Sequence, residues 1–296
     1  MTSFVPRLKA RLALPAHRKV SGLLEGEFAS MQTGRSMEFN DLREYVRGDD
    51  VKDLDWKASA RTGEMLVKRY VAVRRHTVLL VVSTGRSMAG ASSLEVSKRD
   101  LAVEVAGLVG WLGVRQGDLV GAAHGDAAGF HGQPAKTGEL HLERCLGAIH
   151  GAIAEDAAPA DLVGLLLYVA RTVRRRAIVL VVCDEVEATP DLVTGLRRLE
   201  AQHEVMVVTV GDIDPVAVPT SAPVAHDLES GQHLPSWLRG DPRLREELRT
   251  TREEARRSFH QSMVSAGVAH EHVAESTTAL NAVRRLLARN RHARRR

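Results

Sequence analysis

The sequence predicts an α/β fold in which a mostly parallel β-sheet carries helices on both faces and follows a small N-terminal subdomain. From Thr77 onward, short runs rich in β-branched residues alternate with longer segments whose apolar residues recur at intervals of three and four. The runs are apolar almost throughout, which is typical of strands that are covered on both faces. Residues 1–76 lack this alternation and are therefore set apart from the sheet that follows.

Three strands are clear in the sequence: Thr77–Ser83, Ala177–Cys183 and Glu204–Gly211. A fourth, weaker strand covers Leu119–His124. The glycines and the proline between Gly125 and Lys136 predict a turn into an edge strand that runs antiparallel.

Helices are predicted between the strands, because apolar residues recur there with helical spacing. They cover Leu94–Arg115, Leu140–Ile153, Pro159–Val173 and Asp191–His203. After a proline-rich coil over 215–235, a charged helix covers Pro242–Ser265, a short segment covers Val268–Val273, and a final helix begins at Ser276. The predicted organisation is an N-terminal subdomain (1–76), the core of the α/β domain (77–215) and a C-terminal extension that completes the domain (216–296).

The formal net charge of +4 is concentrated near the C-terminus. Residues 284–296 contain seven Arg and no acid, so the rest of the chain has 34 basic and 37 acidic residues. This balance argues against a fold that binds nucleic acid through a basic face. The arginines of the tail either form a solvated, frayed helix end or contact phosphates or acidic partners.

The two cysteines, Cys145 and Cys183, are too few for a disulfide framework or a multi-cysteine zinc site. Charges and Pro15 interrupt the apolar residues near the N-terminus, so we expect no signal peptide. The longest apolar runs are far shorter than the ~20 residues that cross a bilayer. These features predict a cytoplasmic protein without a membrane span.

The N-terminal subdomain contains a dense mixture of acids, arginines and aromatic residues between Gly34 and Arg61. Its recognisable elements are Glu38-Phe39, Arg43, Tyr45, Gly48-Asp49-Asp50, Asp55-Trp56 and Ala60-Arg61. Together they resemble the signature of the bacterial domain-of-unknown-function 58 family, and the resemblance extends over residues 20–210.

This resemblance implies a von Willebrand factor A-like domain, which is a Rossmann-type α/β fold. It also implies a partner, because members of the family are often encoded beside MoxR-type AAA+ ATPases. We therefore expect a chaperone-like role in complex assembly, together with a MoxR-type AAA+ ATPase.

Similar A-type domains bind Mg²⁺ at the carboxyl edge of the sheet through an Asp-x-Ser-x-Ser loop, a Thr and a second Asp. The corresponding loop here is Ser83-Thr84-Gly85-Arg86-Ser87, so the first Asp and the first Ser are replaced. The second Asp corresponds to Asp184, and Thr137 is the candidate for the Thr. Of the metal ligands that the resemblance implies, Ser87 and Asp184 are the two that this sequence retains.

The loss of a carboxylate and the arrival of Arg86 lower the expected affinity for a cation. We therefore expect a degenerate metal site, with no cofactor and at most weak Mg²⁺ binding. In the alternative interpretation, Ser83, Gly85 and Ser87 form a turn that leads toward the helix at Leu94, and the hydroxyl of Ser87 or Ser93 binds nearby backbone amides.

Ligands of open parallel sheets bind beyond the carboxyl ends of the strands, where the strand order reverses. We expect a partner protein to bind there, at Ser83, Gly85, Arg86, Ser87, Asp184 and Glu185. Because the sequence contains no nucleophile elbow, Walker phosphate loop or dinucleotide fingerprint, a non-enzymatic binding or adaptor protein is predicted. Replacing Asp184 and Ser87 by Ala is then expected to weaken partner capture and to leave the melting temperature nearly unchanged.

Two other functions stay open at this point. Asp49, Asp50, Asp53 and Asp55 suggest the paired acids of a divalent-metal-dependent hydrolase, although ion pairs with nearby arginines and helix capping explain the same cluster. An intact metal site would instead make the chain a metal-dependent ligand binder.

Two further groups of residues have alternative interpretations. Trp56, with Phe39 and Tyr45, either forms an exposed anchor for a partner or packs in the core of the subdomain. His270-Glu271-His272 places two imidazoles on one face of a strand, but the sequence shows no third metal ligand for them.

Overall fold

The computed structural model describes residues 3–13, 22–29, 42–46, 54–68, 75–216, 218–219, 227–233 and 235–293. The strands are β1 (Leu42–Glu44), β2 (Leu66–Lys68), β3 (Thr77–Ser83), β4 (Leu119–Asp126), β5 (Gly129–Lys136), β6 (Ile178–Asp184), β7 (Glu204–Val210) and β8 (Ala269–Val273). The helices are α1 (Phe4–Ala13), α2 (22–29), α3 (Trp56–Thr62), α4 (Lys98–Arg115), α5 (Glu139–Ala152), α6 (Leu162–Thr172), α7 (Pro190–Gln202), α8 (Pro242–Ser265) and α9 (Ser276–Ala293). Short 3₁₀ turns cover Arg86–Ala89 and Ser236–Leu238.

A six-stranded sheet with the strand order β5-β4-β3-β6-β7-β8 forms the centre of the fold. The strands from β4 to β8 in this order are parallel to one another, whereas β5 runs antiparallel to β4. The predicted α/β fold with a mostly parallel sheet and an antiparallel edge strand is therefore confirmed. β4 continues beyond the predicted His124 to Asp126.

The central strands contribute to two cores, because successive side chains of a strand point to opposite faces of the sheet. On one face, Val78, Leu80 and Val82 belong to a core with α4, α5 and α9. On the other face, Leu79 and Val81 belong to a core with α6, α7 and α8. Coverage of both faces explains why β3 is apolar at nearly every position.

Two helices begin later than predicted, in both cases directly after a capping residue. α4 begins at Lys98 rather than Leu94, because the hydroxyl of Ser97 accepts a hydrogen bond from an amide in the first turn (3.0 Å). α6 begins at Leu162, because the carboxylate of Asp161 caps its N-terminus in the same way. The residues ahead of each cap belong to loops at the carboxyl edge of the sheet.

The first two helices contribute to the main core, although they lie in the predicted subdomain 1–76. Val5 and Leu8 of α1 and Leu24 and Phe28 of α2 are buried in the same core as α4. β1 and β2 pair with each other in a separate two-stranded sheet. At the other end of the chain, β8 pairs with β7, so the C-terminal segment adds a strand to the large sheet.

None of the helices in the described parts of the chain has the length and apolar character that a membrane span requires. Cys145 and Cys183 are free, buried thiols. Burial raises the pKa of the Cys145 thiol to about 11 and raises that of Cys183 as well, so both are thiols rather than thiolates at neutral pH.

Candidate functional site

The carboxyl ends of β3 and β6 form the position where an open α/β sheet binds its ligands. After β3, the chain adds β4 and β5 on one side of that strand. It then returns to the other side of β3 with β6, which begins the second half of the sheet. Ser83 ends β3 and Asp184 ends β6, and the two strands are direct neighbours. The structure therefore brings these two predicted residues to adjacent strand ends.

The loop after β3 is held close to the connection between α5 and α6. The amide of Arg86 donates a hydrogen bond to the carbonyl of Ala158 (3.1 Å). A Cβ atom added to Gly85 would lie 2.5 Å from the backbone nitrogen of Ala160. Gly85 is therefore needed for this close approach of two backbone segments.

The residues predicted to contact a partner differ in how far they reach the surface. The buried ones are Ser83, Gly85 and Asp184. The half-buried ones are Arg86, Ser87 and Glu185. In this conformation a partner could touch the half-buried residues directly. The buried residues support the edge from below.

Lys98, the first residue of α4, places its ammonium group at this edge of the sheet. Its Nζ donates hydrogen bonds to both carboxylate oxygens of Asp184, each at 2.8 Å. It also donates to the carboxylate of Asp212, which follows β7. Lys98 is only 1% exposed and Asp184 is buried, whereas the side chain of Asp212 is 39% exposed, so the ion cluster is buried on the Asp184 side and reaches the surface at Asp212.

The charges of this cluster stabilise one another. Burial alone would lower the pKa of Lys98, but the carboxylates of Asp184 and Asp212 outweigh it, and the pKa is raised. Lys98 is therefore a cation at every physiological pH. One ammonium faces two carboxylates, so the cluster carries a formal charge of about −1 when both acids are ionised.

Segments that follow β7 cover the ion cluster. The amide of Ile213 donates to the carbonyl of Ala91 (3.0 Å), which joins the segment after β7 to the loop before α4. Further along, Glu229 lies 3.6 Å from the guanidinium of Arg86. These contacts help to close the edge above Lys98.

Lys98 and Asp212 are not among the predicted site residues, for different reasons. Asp212 follows an apolar strand closely, as Asp184 ends one, so the same rule about strand ends could have found it. Lys98 stands in the charged sequence Ser-Lys-Arg-Asp, which is typical of a solvated helix start. No local pattern distinguishes it from an exposed lysine.

A second polar group lies beside the ion cluster, at the carboxyl ends of β6, β7 and β8. Glu185 pairs with Arg256 of α8, and its carboxylate lies 3.5 Å from Nδ1 of His272. The hydroxyl of Thr209 lies 3.0 Å from Nε2 of His270 and 3.3 Å from Nδ1 of His272. Glu185 therefore links α8 to the end of the sheet.

The two imidazoles of β8 share a face of the strand, as predicted. Burial is the main cause that lowers the pKa of His270 to about 3 and that of His272 to about 4. Both are therefore neutral at pH 7. Glu271, between them, faces the other side and pairs with Arg285 and Arg289 of α9.

Within the described ranges, no group of three or more His, Cys, Asp or Glu side chains is placed to hold a metal ion. The candidate Thr137 is wrong, because it follows β5, which runs antiparallel to β4. Lys136 pairs with Val120 near the start of β4, so Thr137 lies at the amino edge of the sheet, opposite Asp184.

The signature of the N-terminal subdomain is described only in part. Its members that lie outside the described residues are Glu38, Phe39, Gly48, Asp49 and Asp50, together with Asp53 of the acidic cluster.

The described members of the signature lie in or beside β1 and α3. Arg43 lies in β1, and the amide of Tyr45 donates to the carbonyl of Met65 (2.8 Å). Asp55 caps α3 by accepting from two backbone amides (3.1 and 3.0 Å). Trp56 is 66% exposed, which favours the surface interpretation over core packing for this residue, and Arg61 is exposed as well.

Comparison with known sequences gives a family match. The sequence model of the family described as "Protein of unknown function DUF58" matches residues 41–258. Uncharacterized proteins of Mycobacterium bovis and Mycobacterium tuberculosis are 32% identical to the chain over 235 residues, which is 76% of this chain and 72% of theirs.

Solved structures with a similar arrangement share little sequence with the chain. A von Willebrand factor type A protein from Catenulispora acidiphila is 11% identical with a TM-score of 0.43, and the match covers 77% of this chain and 44% of that one. An aerotolerance-related membrane protein from Bacteroides fragilis is 15% identical with a TM-score of 0.45, and the match covers 72% of this chain and 99% of that one.

Proposed function

The chain belongs to the DUF58 family of proteins of unknown function, and from this premise we propose that it is a non-enzymatic adaptor that binds a partner protein at the carboxyl edge of its sheet. The proposed site needs no bound metal, because the chain supplies its own cation there. The contact between the buried ammonium of Lys98 and the carboxylates of Asp184 and Asp212 is the observation that supports this.

A divalent cation fits this set of residues poorly. Mg²⁺ requires oxygen ligands in near-octahedral geometry, usually including carboxylates. Here the ammonium of Lys98 takes both oxygens of Asp184, and Ser83 and Gly85 supply no carboxylate. The ammonium of Lys98 would also repel a cation bound beside it, and this repulsion is strong because Lys98 is buried. We therefore propose a degenerate metal site with at most weak affinity for Mg²⁺.

The surface above the ion cluster offers groups that suit a protein partner. Arg86 and Glu229 form a partly exposed pair there. Trp237 lies in a 3₁₀ turn of the same connection between β7 and α8, and this turn returns to the segment after β7, where the amide of Gly240 donates to the carbonyl of Val216 (2.9 Å). Trp237 is 78% exposed, which is unusual for so large an apolar side chain. Trp and Arg residues supply much of the binding energy in protein interfaces. We propose that these side chains make the contact, and that the buried residues fix the loops that carry them.

The proposed partner is a MoxR-type AAA+ ATPase, on the basis of the resemblance to the family signature. The adaptor would then hold a client or a complex component for the ATPase, in the cytoplasm. The overall charge balance does not favour nucleic acid as the partner.

The test measures binding between the full chain and the MoxR-type ATPase of the same organism. The ATPase is kept free of nucleotide, so that a chelator acts only on metal bound to the adaptor. We expect equal affinity with and without chelator. We expect Arg86→Glu and Trp237→Ala each to weaken binding roughly ten-fold, as interface residues do.

Arg144→Glu is the matched control, because Arg144 is exposed on α5, away from the carboxyl edge. Loss of binding on addition of chelator would favour the metal-dependent ligand binder instead. Equal binding by the Arg86, Trp237 and Arg144 variants would show that the carboxyl edge is not the contact surface.

A further inference from the structure

The opposite, amino edge of the sheet brings two helix ends together. α6 ends just before β6, and α7 ends just before β7, and these two strands are parallel neighbours. The amide of Glu204 donates a hydrogen bond to the carbonyl of Ala177 (2.8 Å), which joins the two connections directly. Side chains at the end of α6 and at the end of α7 therefore share one surface.

Six exposed arginines lie at these two helix ends, at and after the end of α6 and in the last two turns of α7, and we call them the arginine patch. They are Arg171, Arg174, Arg175, Arg176, Arg197 and Arg198. Arg197 donates to the carbonyl of Ser265 at the end of α8 (3.4 Å). In the described part of the chain, Arg171, Arg174, Arg175 and Arg198 make no ion pair with a carboxylate.

The acidic residues nearest to the patch in sequence already accept hydrogen bonds from other groups of the protein. One carboxylate oxygen of Glu200 accepts a hydrogen bond from the amide of Val205 (2.7 Å). Glu204 is buried and accepts from the side chain of Asn290 (2.6 Å). Burial and the charge of Arg176 both lower the pKa of His203. This histidine is therefore neutral at pH 7 and adds no charge to the patch.

Six arginines exceed what the local structure requires. A basic residue in the last turn of a helix interacts favourably with the helix dipole, but the effect is confined to that turn. Arg174 and Arg175 lie beyond the end of α6, where they repel each other at close spacing. A ligand with several negative charges would relieve this repulsion.

We propose that the arginine patch binds an acidic peptide segment of a partner protein. The planar guanidinium group of Arg matches the two oxygens of a carboxylate in a bidentate pair, and all six basic residues of the patch are Arg rather than Lys. A short run of Asp and Glu residues in an extended chain would meet several of these groups at once.

Two features favour an acidic peptide over nucleic acid. The segments 171–176 and 197–202 contain no aromatic residue on which a base could stack. Without the six arginines the net charge of the chain would fall from +4 to −2. The positive charge of the patch is thus a local excess on two short connections, which a short acidic segment is long enough to cover.

The arginine patch lies at the opposite edge of the sheet from Lys98 and does not depend on the adaptor site. Either surface can fail its test without affecting the other. The assay of the patch contains neither the ATPase nor a chelator, so the two outcomes are independent.

The experiment measures the fluorescence anisotropy of a labelled oligoglutamate peptide titrated with the full chain at low salt. We expect binding that weakens as salt is added, because the contacts are exposed ion pairs. The variant Arg174→Glu/Arg175→Glu should lose affinity about ten-fold or more. The control Arg61→Glu/Arg144→Glu changes the net charge equally at exposed positions outside the patch and should retain the affinity of the unmodified chain.

Three results would overturn the proposal. Equal losses in the two double variants would show that net charge, and not the patch, attracts the peptide. Tighter binding of single-stranded DNA or of phosphatidylserine vesicles than of the peptide, abolished by the patch variant, would assign the patch to nucleic acid or to a membrane surface. Salt-sensitive dimers that disappear in the patch variant would assign it to a second copy of the chain.

Discussion

Lys98 places a positive charge among the carboxylates of the carboxyl edge. The buried ammonium of Lys98 offsets part of the negative charge of two carboxylates, as a bound cation does in a metal site. Unlike a metal ion, it belongs to the chain itself. Asp184 is therefore a structural residue as well as a candidate for binding. The expectation that replacing Asp184 and Ser87 by Ala leaves the melting temperature nearly unchanged needs revision, because the loss of Asp184 would leave an ammonium buried without its main partner.

Lys98→Met tests the role of the buried ammonium. We expect the variant to lose about 3 kcal/mol of unfolding free energy, because Asp184 and Asp212 would then face each other without a cation. Urea denaturation followed by circular dichroism measures the loss. Adding Asp184→Asn should recover part of it by removing the uncompensated charge.

Lys57→Met is the matched control for Lys98→Met. Lys57 is exposed on α3, so its loss should change the unfolding free energy by less than about 0.5 kcal/mol. Equal stability of the Lys98→Met and Lys57→Met proteins would contradict the structural role of Lys98. A gain of Mg²⁺ binding in Lys98→Met would support it further, since the carboxylates would then be free for a metal.

Individual residues also show where prediction from sequence stops. Asp184 and Ser83 could be placed at the edge of the sheet because strand ends are visible in the sequence. The partner of Asp184 could not, because Lys98 is 86 positions away and nothing nearby in the sequence distinguishes it. Burial of a charge depends on long-range packing, which a local pattern does not contain.

The regular elements were far more predictable than these contacts. β3 and α8 have the predicted bounds, because apolar spacing marks the whole of β3 and Asp241-Pro242 marks the start of α8. The packing of α1 on α4 and α5 was not predicted. Its amphipathic pattern is short, and the sequence does not show which surface it covers.

Glu143 of α5 holds the N-terminus of α1, which has no capping side chain of its own among the described residues. Its two carboxylate oxygens accept hydrogen bonds from the amides of Phe4 and Val5, both at 2.7 Å. We expect Glu143→Ala to cost about 1 kcal/mol, as the loss of a helix cap does. Hydrogen exchange should also become faster in α1, and mass spectrometry of its peptides measures this.

Glu139→Ala gives a comparison on the same helix. Glu139 also contacts α1, but through an exposed ion pair with Lys9, which contributes little to stability. Exchange in α1 should therefore stay close to that of the unmodified protein. If both variants speed exchange equally, the carboxylate of Glu143 is not the specific anchor of α1.

At the scale of the whole molecule, the two edges of the sheet have different chemistry. Helices that follow parallel strands begin at the carboxyl edge and end at the amino edge, so their dipoles favour acids at the first and bases at the second. The chain strengthens this pattern with Asp184 and Asp212 at one edge and the arginine patch at the other. The two proposed partners would therefore bind without competing for a surface.

The stability of the whole molecule should fall in mild acid. The pKa values of His270 and His272 are about 3 and 4 in the folded chain, against an ordinary value of 6.5. Above pH 6.5 both states are neutral and the histidines have no effect. Below it, the unfolded chain takes up protons that the folded chain does not, so stability is lost as the pH falls toward 4.

Urea denaturation at pH 7 and pH 5 measures this loss. We expect about 2 kcal/mol for each histidine over that interval. His270→Gln and His272→Gln should each reduce the difference, whereas His131→Gln, at an exposed position of β5, should not. A loss of stability that persists in the double variant His270→Gln/His272→Gln would have to come from other groups.

The order of the strands also determines how the chain can fold while it is being made. β3 lies at the centre of the sheet, with Val78 beside Val120 on one side and beside Ile178 on the other. β4 and β5 leave the ribosome soon after β3, but β6 follows only after two further helices. During that interval one side of this apolar central strand has no pairing partner. A nascent strand of this kind is prone to pair with another chain, so the delay before β6 is the period in which this protein is most exposed to aggregation during synthesis.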